Sequence, residues 1–489
     1  MSLGALEATV VSTAMPTVIA TLGGLAHYSW VFSAYLLTST ASVPIWGRLS
    51  DLYGRRRLYL AGICVFIAGS ALSGVATSMT QLIVFRAIQG LGAGAVIPLS
   101  MTIVGELYAL EERARTQALF SGVWGVASIA GPLVGGYITD ALSWRWVFYL
   151  NLPFGLFATI VIALAYPSSK RPTAARVDWP GAALLFAGVT TLLIAIGGET
   201  GAPVAWAAAT AALLGAFLAV ERRAADPILP LALFRHAIVA RSLTVVFMTG
   251  MAMFGAIAFV PLFVQGVMGG TATEAGRALT PLFLGWVATS IVGARLTVRV
   301  GYRPVALSGA TLLMVAFAAL ATIDAETPPT ALLIMVFGLG CGMGLSMLSL
   351  LLAVQHGVSR SLLGLATSLN QFSRSVGAAI GVAAMGAILA RSLSGLDLPG
   401  GMQAMPSGAI HLEGAARAQF AYALNRVFAA GGVMSAIALA VSFVLPPVDF
   451  SRGVPAGAGE RMLAAEMTSL ESKSEPVAVA SAKPAHDAR

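Results

Sequence analysis

Gly47-Arg48-Leu49-Ser50-Asp51-Leu52-Tyr53-Gly54-Arg55-Arg56-Arg57 sets four arginines and one acid between two runs, 28–47 and 58–77, that carry no charge at all. A run of about 20 apolar residues is long enough to cross a bilayer as a helix. Charge is thus confined to the joint between two spans. Moving outward from this joint, the same reading predicts spans near 3–22, 80–101, 117–138, 146–166, 180–197, 203–220, 242–264, 278–298, 304–323, 330–353, 364–390 and 427–446. With the first pair, that makes fourteen transmembrane helices in an all-α membrane protein.

Composition agrees. Hydrophobic residues make up 57% of the chain and charged residues 10%, where a soluble domain carries about 25% charged. Mean hydropathy is +0.85. So little polar surface cannot cover a water-soluble fold of this length, whereas a lipid-facing surface needs none.

The net charge of +8 does not imply a nucleic-acid partner. The positive residues are spread through short loops, and the even-numbered joints hold most of them: Arg48, Arg55–Arg57, Arg113, Arg115, Lys170, Arg171, Arg222, Arg223, Arg295, Arg299 and Arg303. The opposite joints are assigned only Arg145, Arg277, Arg391, Arg417 and Arg426. The positive-inside bias then places both termini in the cytoplasm. No positive region precedes the first apolar run, so a cleaved signal peptide is not expected. The first span is short on that side, which points to a start upstream of Met1 or to a short first helix. The tail 447–489, rich in Ser, Ala, Pro and Glu, is expected to be disordered.

An internal repeat organises the spans. Gly90-Leu91-Gly92-Ala93-Gly94 returns as Gly338-Leu339-Gly340-Cys341-Gly342, and Arg48-Leu49-Ser50 with Gly54 returns as Arg295-Leu296-Thr297 with Gly301. The two shifts, 248 and 247, predict homologous six-helix halves at 1–166 and 242–446. The segment 167–241 then holds linker loops and two inserted helices. Parallel halves with a solute path between them are a known transporter plan.

Several residues stand out chemically. Gly47 and Gly54 can provide tight turns, and the arginines around them suit an anionic membrane surface. Asp51 is placed to meet an arginine or a helix N-terminus. Arg86, with Gln89 following, lies inside a span, where an ionised group is costly and usually faces a cavity or a partner. Gly125, Gly131-Pro132 and Gly135-Gly136 combine a proline kink with glycines for close packing. Glu7, in Leu6-Glu7-Ala8-Thr9-Val10-Val11 before Pro16, is a carboxyl at membrane depth that can take up and release a proton. At 1.5 Å rise per residue, Glu7 lies ~22 Å below the outer end of its helix and Arg86 only ~9 Å below its own, which leaves a direct pair open. Arg374 sits ~15 Å into its span, near Asn370 and Gln371. It is a candidate cavity cation for an acid or an anionic solute. Tyr35, Trp124, Phe254, Trp286 and Phe372 are candidate cavity aromatics. Cys64 and Cys341 read as small membrane-core residues. The five histidines are too scattered for a metal site.

Taken together, these motifs resemble the major facilitator superfamily, and within it the fourteen-helix drug:proton antiporters of the EmrB/QacA-like multidrug efflux type. Trp144-Arg145-Trp146-Val147-Phe148 with Asn151 and Pro153 resembles the start of helix six in that group, and Asp178-Trp179-Pro180-Gly181 the start of helix seven. The resemblance implies the major facilitator fold, with two inserted central helices. It implies that Asp51, with Gly47, Gly54, Arg55 and Arg56, forms a conformational latch. It also implies that Glu7 and Arg86 couple proton movement, and that the helix containing Gly125, Gly131, Pro132, Gly135 and Gly136 marks an antiporter. The substrate cavity would involve Glu7, Tyr35, Gln89, Trp124, Phe254, Trp286, Asn370 and Arg374. Here Glu7 stands where the family usually has Asp, and Val298 replaces the acid in the second half, so the latch is one-sided.

The expected function is proton-coupled export of small amphiphilic molecules, cationic drugs or dyes among them, across a bacterial inner membrane. No cofactor is expected beyond the proton gradient. The expected partners are solute and bilayer, with the protein a monomer that accessory envelope proteins could join. Export of an endogenous lipid, siderophore or metabolite would use the same chemistry. A membrane sensor without transport is the rival from another class. An enzyme is disfavoured, because the sequence has no nucleophile elbow, metal cluster or phosphate loop.

Overall fold

The computed structural model describes residues 2–107, 126–127, 129–166, 178–197, 202–224, 228–229, 231–356, 358, 363–393 and 414–446. Trp124, Gly125, the polar loop 167–177 and the tail 447–489 lie outside the described residues. At Arg48, Asp51 and Val298 only the backbone is described, so the expected contact of the Asp51 side chain lies outside the described residues.

The longer elements of the described chain are all α-helices. They are α1 (Ser2–Leu22), α2 (Tyr28–Tyr53), α3 (Arg55–Gly74), α4 (Met79–Leu107), α5 (129–141), α6 (Arg145–Tyr149), α7 (Asn151–Ala165), α8 (Trp179–Gly197), α9 (Pro203–Glu221), α10 (Ala237–Gly266), α11 (Ala272–Val300), α12 (Tyr302–Leu320), α13 (Pro329–His356), α14 (Leu363–Leu393) and α15 (Gly414–Phe443). Eleven spans among the described residues are long and apolar enough to cross a membrane, α6 and α7 joining as Arg145–Ala165. Exposed Phe154, Leu156, Phe157 and Leu164 on α7 suit a surface that meets lipid rather than water.

Helix ends depart from the sequence reading where charge depresses hydropathy. Helix α15 begins at Gly414 rather than near 427. Arg145, Arg277, Arg391, Arg417 and Arg426, expected in loops, all lie in helices. Long helices project beyond the hydrocarbon, and their arginines reach back to free carbonyls. Arg145 Nη2 donates to the Ala76 carbonyl at 3.1 Å, and Arg417 Nε donates to that of Val267. Cys64 is exposed on the membrane-length helix α3, and Cys341 is buried in α13.

The Gly47–Arg57 joint is tighter than expected. Helix α2 continues through it to Tyr53, and the turn is Gly54 alone, at φ 91°. A side chain there would be strained. Gly47 is helical, not a turn, and nothing lies near the position of its missing side chain. Gly301 makes the same one-residue turn between α11 and α12, at φ 85°. Arg56 Nη2 donates to the Ala163 carbonyl near the end of α7, and Arg55 is half-buried beside it.

Packing is close because glycines line it. In α4, Gly90 and Gly94 press on α2, and Gly92 presses on α3. In α13, Gly340 and Gly344 press on α11, and Gly342 presses on α12. The glycines that perform the same task are therefore 250 positions apart, not 248, while the Gly54 and Gly301 turns are 247 apart. The single shift read from the sequence fails because the connection from α12 to α13 is longer than that from α3 to α4. Helix α10 lies among α11, α13, α14 and α15 and also meets α1. Helices α8 and α9 pack as a hairpin, with α8 against both α2 and α14.

A Cβ on Gly340 would lie 1.9 Å from the Leu282 carbonyl oxygen, whereas one on Gly215 would meet nothing within 4 Å. Gly340→Ala should therefore cost roughly 1–3 kcal/mol by overpacking, seen as a lower thermal midpoint in detergent. Gly215→Ala should leave that midpoint unchanged or slightly raised.

Candidate functional site

Arg86 on α4 and Glu7 on α1 form a buried ion pair, with Arg86 Nη1 donating to Glu7 Oε1. The same nitrogen donates to Gln89 Oε1 at 2.8 Å, and Arg86 Nε donates to the Val31 carbonyl of α2 at 3.3 Å. The Tyr35 ring lies 4.2 Å from the guanidinium carbon. Asn151, the first residue of α7, donates Nδ2 to Glu7 Oε2 at 2.5 Å and to Ser70 Oγ of α3 at 3.1 Å. Gln89 Nε2 also donates to Ser70 Oγ, at 3.2 Å. The Ser70 hydroxyl then donates to the Phe148 carbonyl at 2.8 Å.

Five membrane helices and the short α6 thus converge on one carboxylate. Both of its oxygens accept hydrogen bonds. Two charges out of water are tolerated only when their attraction and the surrounding hydrogen bonds offset desolvation. Adding a proton to Glu7 would remove that attraction and leave Arg86 without its anion. Loss of either charge would therefore bear on the packing of α1.

The depth mismatch is resolved by inclination. Gly24, just past α1, lies against Met79 at the start of α4, so those two ends meet. Glu7 is ten positions further from this common end than Arg86, ~15 Å along a straight helix. Two side chains in contact cannot span that between parallel axes, so α1 runs inclined to α4. Tyr35 and Gln89, expected to line an open cavity, are buried and face Arg86 instead.

Helix α5 sits between α1 and α11. A Cβ on Gly135 would lie 2.7 Å from the Val10 carbonyl oxygen, and one on Gly136 2.4 Å from that of Ala272. From the other side, a Cβ on Gly276 of α11 would lie 2.1 Å from the Pro132 carbonyl oxygen. Gly131 and Pro132 are buried in the same helix. Near its end Asp140 accepts from the Ala272 and Thr273 amides at 3.1 and 2.8 Å and from the Thr273 hydroxyl at 2.5 Å. A carboxylate clasping the N-terminus of α11 is favoured by both hydrogen bonding and the helix dipole. Gln265 of α10 adds a bond to the Thr13 carbonyl of α1 at 2.9 Å. Sequence reasoning missed Asp140, and read Asn151 only as part of a helix-start pattern. A lone polar residue within the apolar run 146–166 was the available signal.

A second polar centre lies on α14. Arg374 packs near the Phe254 ring, 5.9 Å from its centroid, and its backbone abuts Gly250 of α10. Asn370, one turn earlier, is buried. Trp286 stacks on Phe283 at 6.3 Å, so this expected cavity aromatic belongs to the packing of α11.

A bundle of inclined apolar helices enclosing ionised groups defines a membrane transporter rather than an enzyme. Residues 1–382 match the model of the Major Facilitator Superfamily, and the chain belongs to that family. It is 40% identical to the multidrug transporter protein MdtP of Bacillus subtilis over 396 residues, covering 80% of this chain and 73% of that one. It is 35% identical to multidrug resistance protein 3 of the same organism over 396 residues, covering 79% and 77%. Among solved structures, an inward-facing bacterial homologue of the human lysosomal transporter Spinster overlays with a TM-score of 0.66 at 16% identity, covering 91% of this chain and 94% of that one.

Arg86→Met alone strands the buried Glu7 carboxylate and should cost roughly 3–5 kcal/mol. Combining it with Glu7→Gln should recover part of that loss. Thermal midpoints of wild type, both single variants and the double variant check this; strictly additive losses would mean that the two side chains do not stabilise each other.

Proposed function

We propose that this protein exports small amphiphilic molecules from a bacterial cytoplasm in exchange for protons. The observation that carries the reading is the Glu7–Arg86 pair, sealed among membrane-crossing helices with both carboxylate oxygens occupied. Relatives named as multidrug transporters support the export of drug-like solutes.

In this reading the halves 1–166 and 242–446 rock about a shared path, with the α8–α9 hairpin inserted between them. Helices α1, α2 and α5 join the eleven clear spans to give fourteen, with both termini cytoplasmic in the inner membrane. When Glu7 is charged, Arg86 and Asn151 hold α1 against α4 and α7. A proton arriving from outside neutralises Glu7, loosens that grip and favours the other orientation of the halves. Release of the proton inside restores the pair. Coupling requires that the two orientations differ in proton affinity, and the loss of the Arg86 bond supplies such a difference. Asp140 closes one end between α5 and α11. The Asp51 joint is the latch at the opposite end.

Everted vesicles carrying the protein test this. An imposed pH gradient should dissipate when an amphiphile is added that the protein demonstrably carries, and Glu7→Gln should reduce that response about tenfold or more. Carriage of the solute with no effect on the gradient in wild type would overturn proton exchange.

A further inference from the structure

Helix α14 holds a charge that the Glu7 cluster does not balance. Arg374 follows Leu363 by eleven positions and abuts Gly250, thirteen positions into α10. Both counts put it ~16–20 Å from the helix ends, near mid-membrane. Among the described residues it makes no hydrogen bond or ion pair, and its guanidinium lies 5.9 Å from the centroid of the Phe254 ring. Glu7 is committed to Arg86 and Asn151. Asn370 lies four positions earlier, on the same helix face. It is only 7% exposed, and its Nδ2 donor has no partner among the described residues. Helix α14 is pinned here, because Ser373 Oγ donates to the Leu243 carbonyl at 2.9 Å. Phe254 and Arg374 keep partial exposure, and α10 is surrounded by α1, α11, α13, α14 and α15. Their accessible surface therefore faces the inside of the bundle.

We propose that Arg374 and Asn370 form the headgroup subsite for acidic amphiphiles, binding a carboxylate, sulfonate or phosphate while Phe254 meets the adjoining apolar part. This rests on the export reading above and narrows its solute class. The guanidinium fork can hold two oxygens of an oxyanion, and the Asn370 amide can add a donor. A cation with no counter-ion among the described residues is costly at this depth, and an anionic ligand relieves the cost. A cationic head would instead meet like charge, so the site discriminates by sign. Solute selection thereby inverts the expectation of cationic dyes.

The test is equilibrium binding to the full chain in phosphatidylcholine nanodiscs, using radiolabelled decanesulfonate and decyltrimethylammonium. These probes share a tail and differ in headgroup charge. Wild type should bind the sulfonate about tenfold more tightly than the cation. Arg374→Gln should abolish that preference and Arg374→Lys should keep part of it. Asn370→Ala should weaken the sulfonate by roughly threefold, and because it alters no charge it serves should the glutamine variant fail to fold. Added phosphatidylglycerol that competes in wild type and not in Arg374→Gln assigns the headgroup to a lipid; no competition assigns it to a free amphiphile. Equal binding of both probes by wild type, binding of neither, or undiminished sulfonate binding by folded Arg374→Gln overturns the subsite. No gradient is present, so failure here leaves proton exchange standing, and failure of proton exchange leaves this result standing.

Discussion

Two opposite charges held out of water by one another constrain everything around them. Glu7 and Arg86 are on helices far apart in sequence, and neither could be buried alone without a penalty of several kcal/mol. Further hydrogen bonds to the pair come from Asn151, Gln89 and the Val31 carbonyl, with Ser70 bonded to Asn151 and Gln89 behind them. Asn151, Ser70 and Val31 each bring in a further helix. Satisfying one carboxylate thus dictates the relative placement of α1, α2, α3, α4 and α7.

That placement is possible because the surrounding surfaces are nearly bare. Lipid supplies no hydrophobic push between helices, so contact area must come from close approach. Gly90, Gly92 and Gly94 give α4 two smooth sides, towards α2 and α3. Gly135 and Gly136 do the same for α5, towards α1 and α11. Asp140 then adds direction to a contact that glycine alone would leave free to slide.

Much of this was legible in the sequence, for a physical reason. A bilayer imposes a length on apolar runs, so spans such as α8 and α9 were located almost to the residue. Hydropathy records where lipid ends, not where a helix ends. That is why α2 ran on through Leu52 and why α15 began well before its apolar stretch. Inclination leaves no mark in a linear pattern, so Glu7 and Arg86 were placed at different depths though they touch. Register is equally silent: the glycine motifs of α4 and α13 align by letters at one shift and by packing at another. Asp140 escaped notice because a single acid at a helix end looks like ordinary surface until its partner, the start of α11, is known.

The turns at Gly54 and Gly301 contain one residue each. Such a junction has no slack to absorb sliding, so α2 with α3, and α11 with α12, can move only as stiff forks. Gly90, Gly92, Gly340 and Gly342 wedge α4 and α13 against both prongs of these forks. Any displacement begun at one prong is handed undiminished to the other, and strain must emerge at the longer connections elsewhere in the chain.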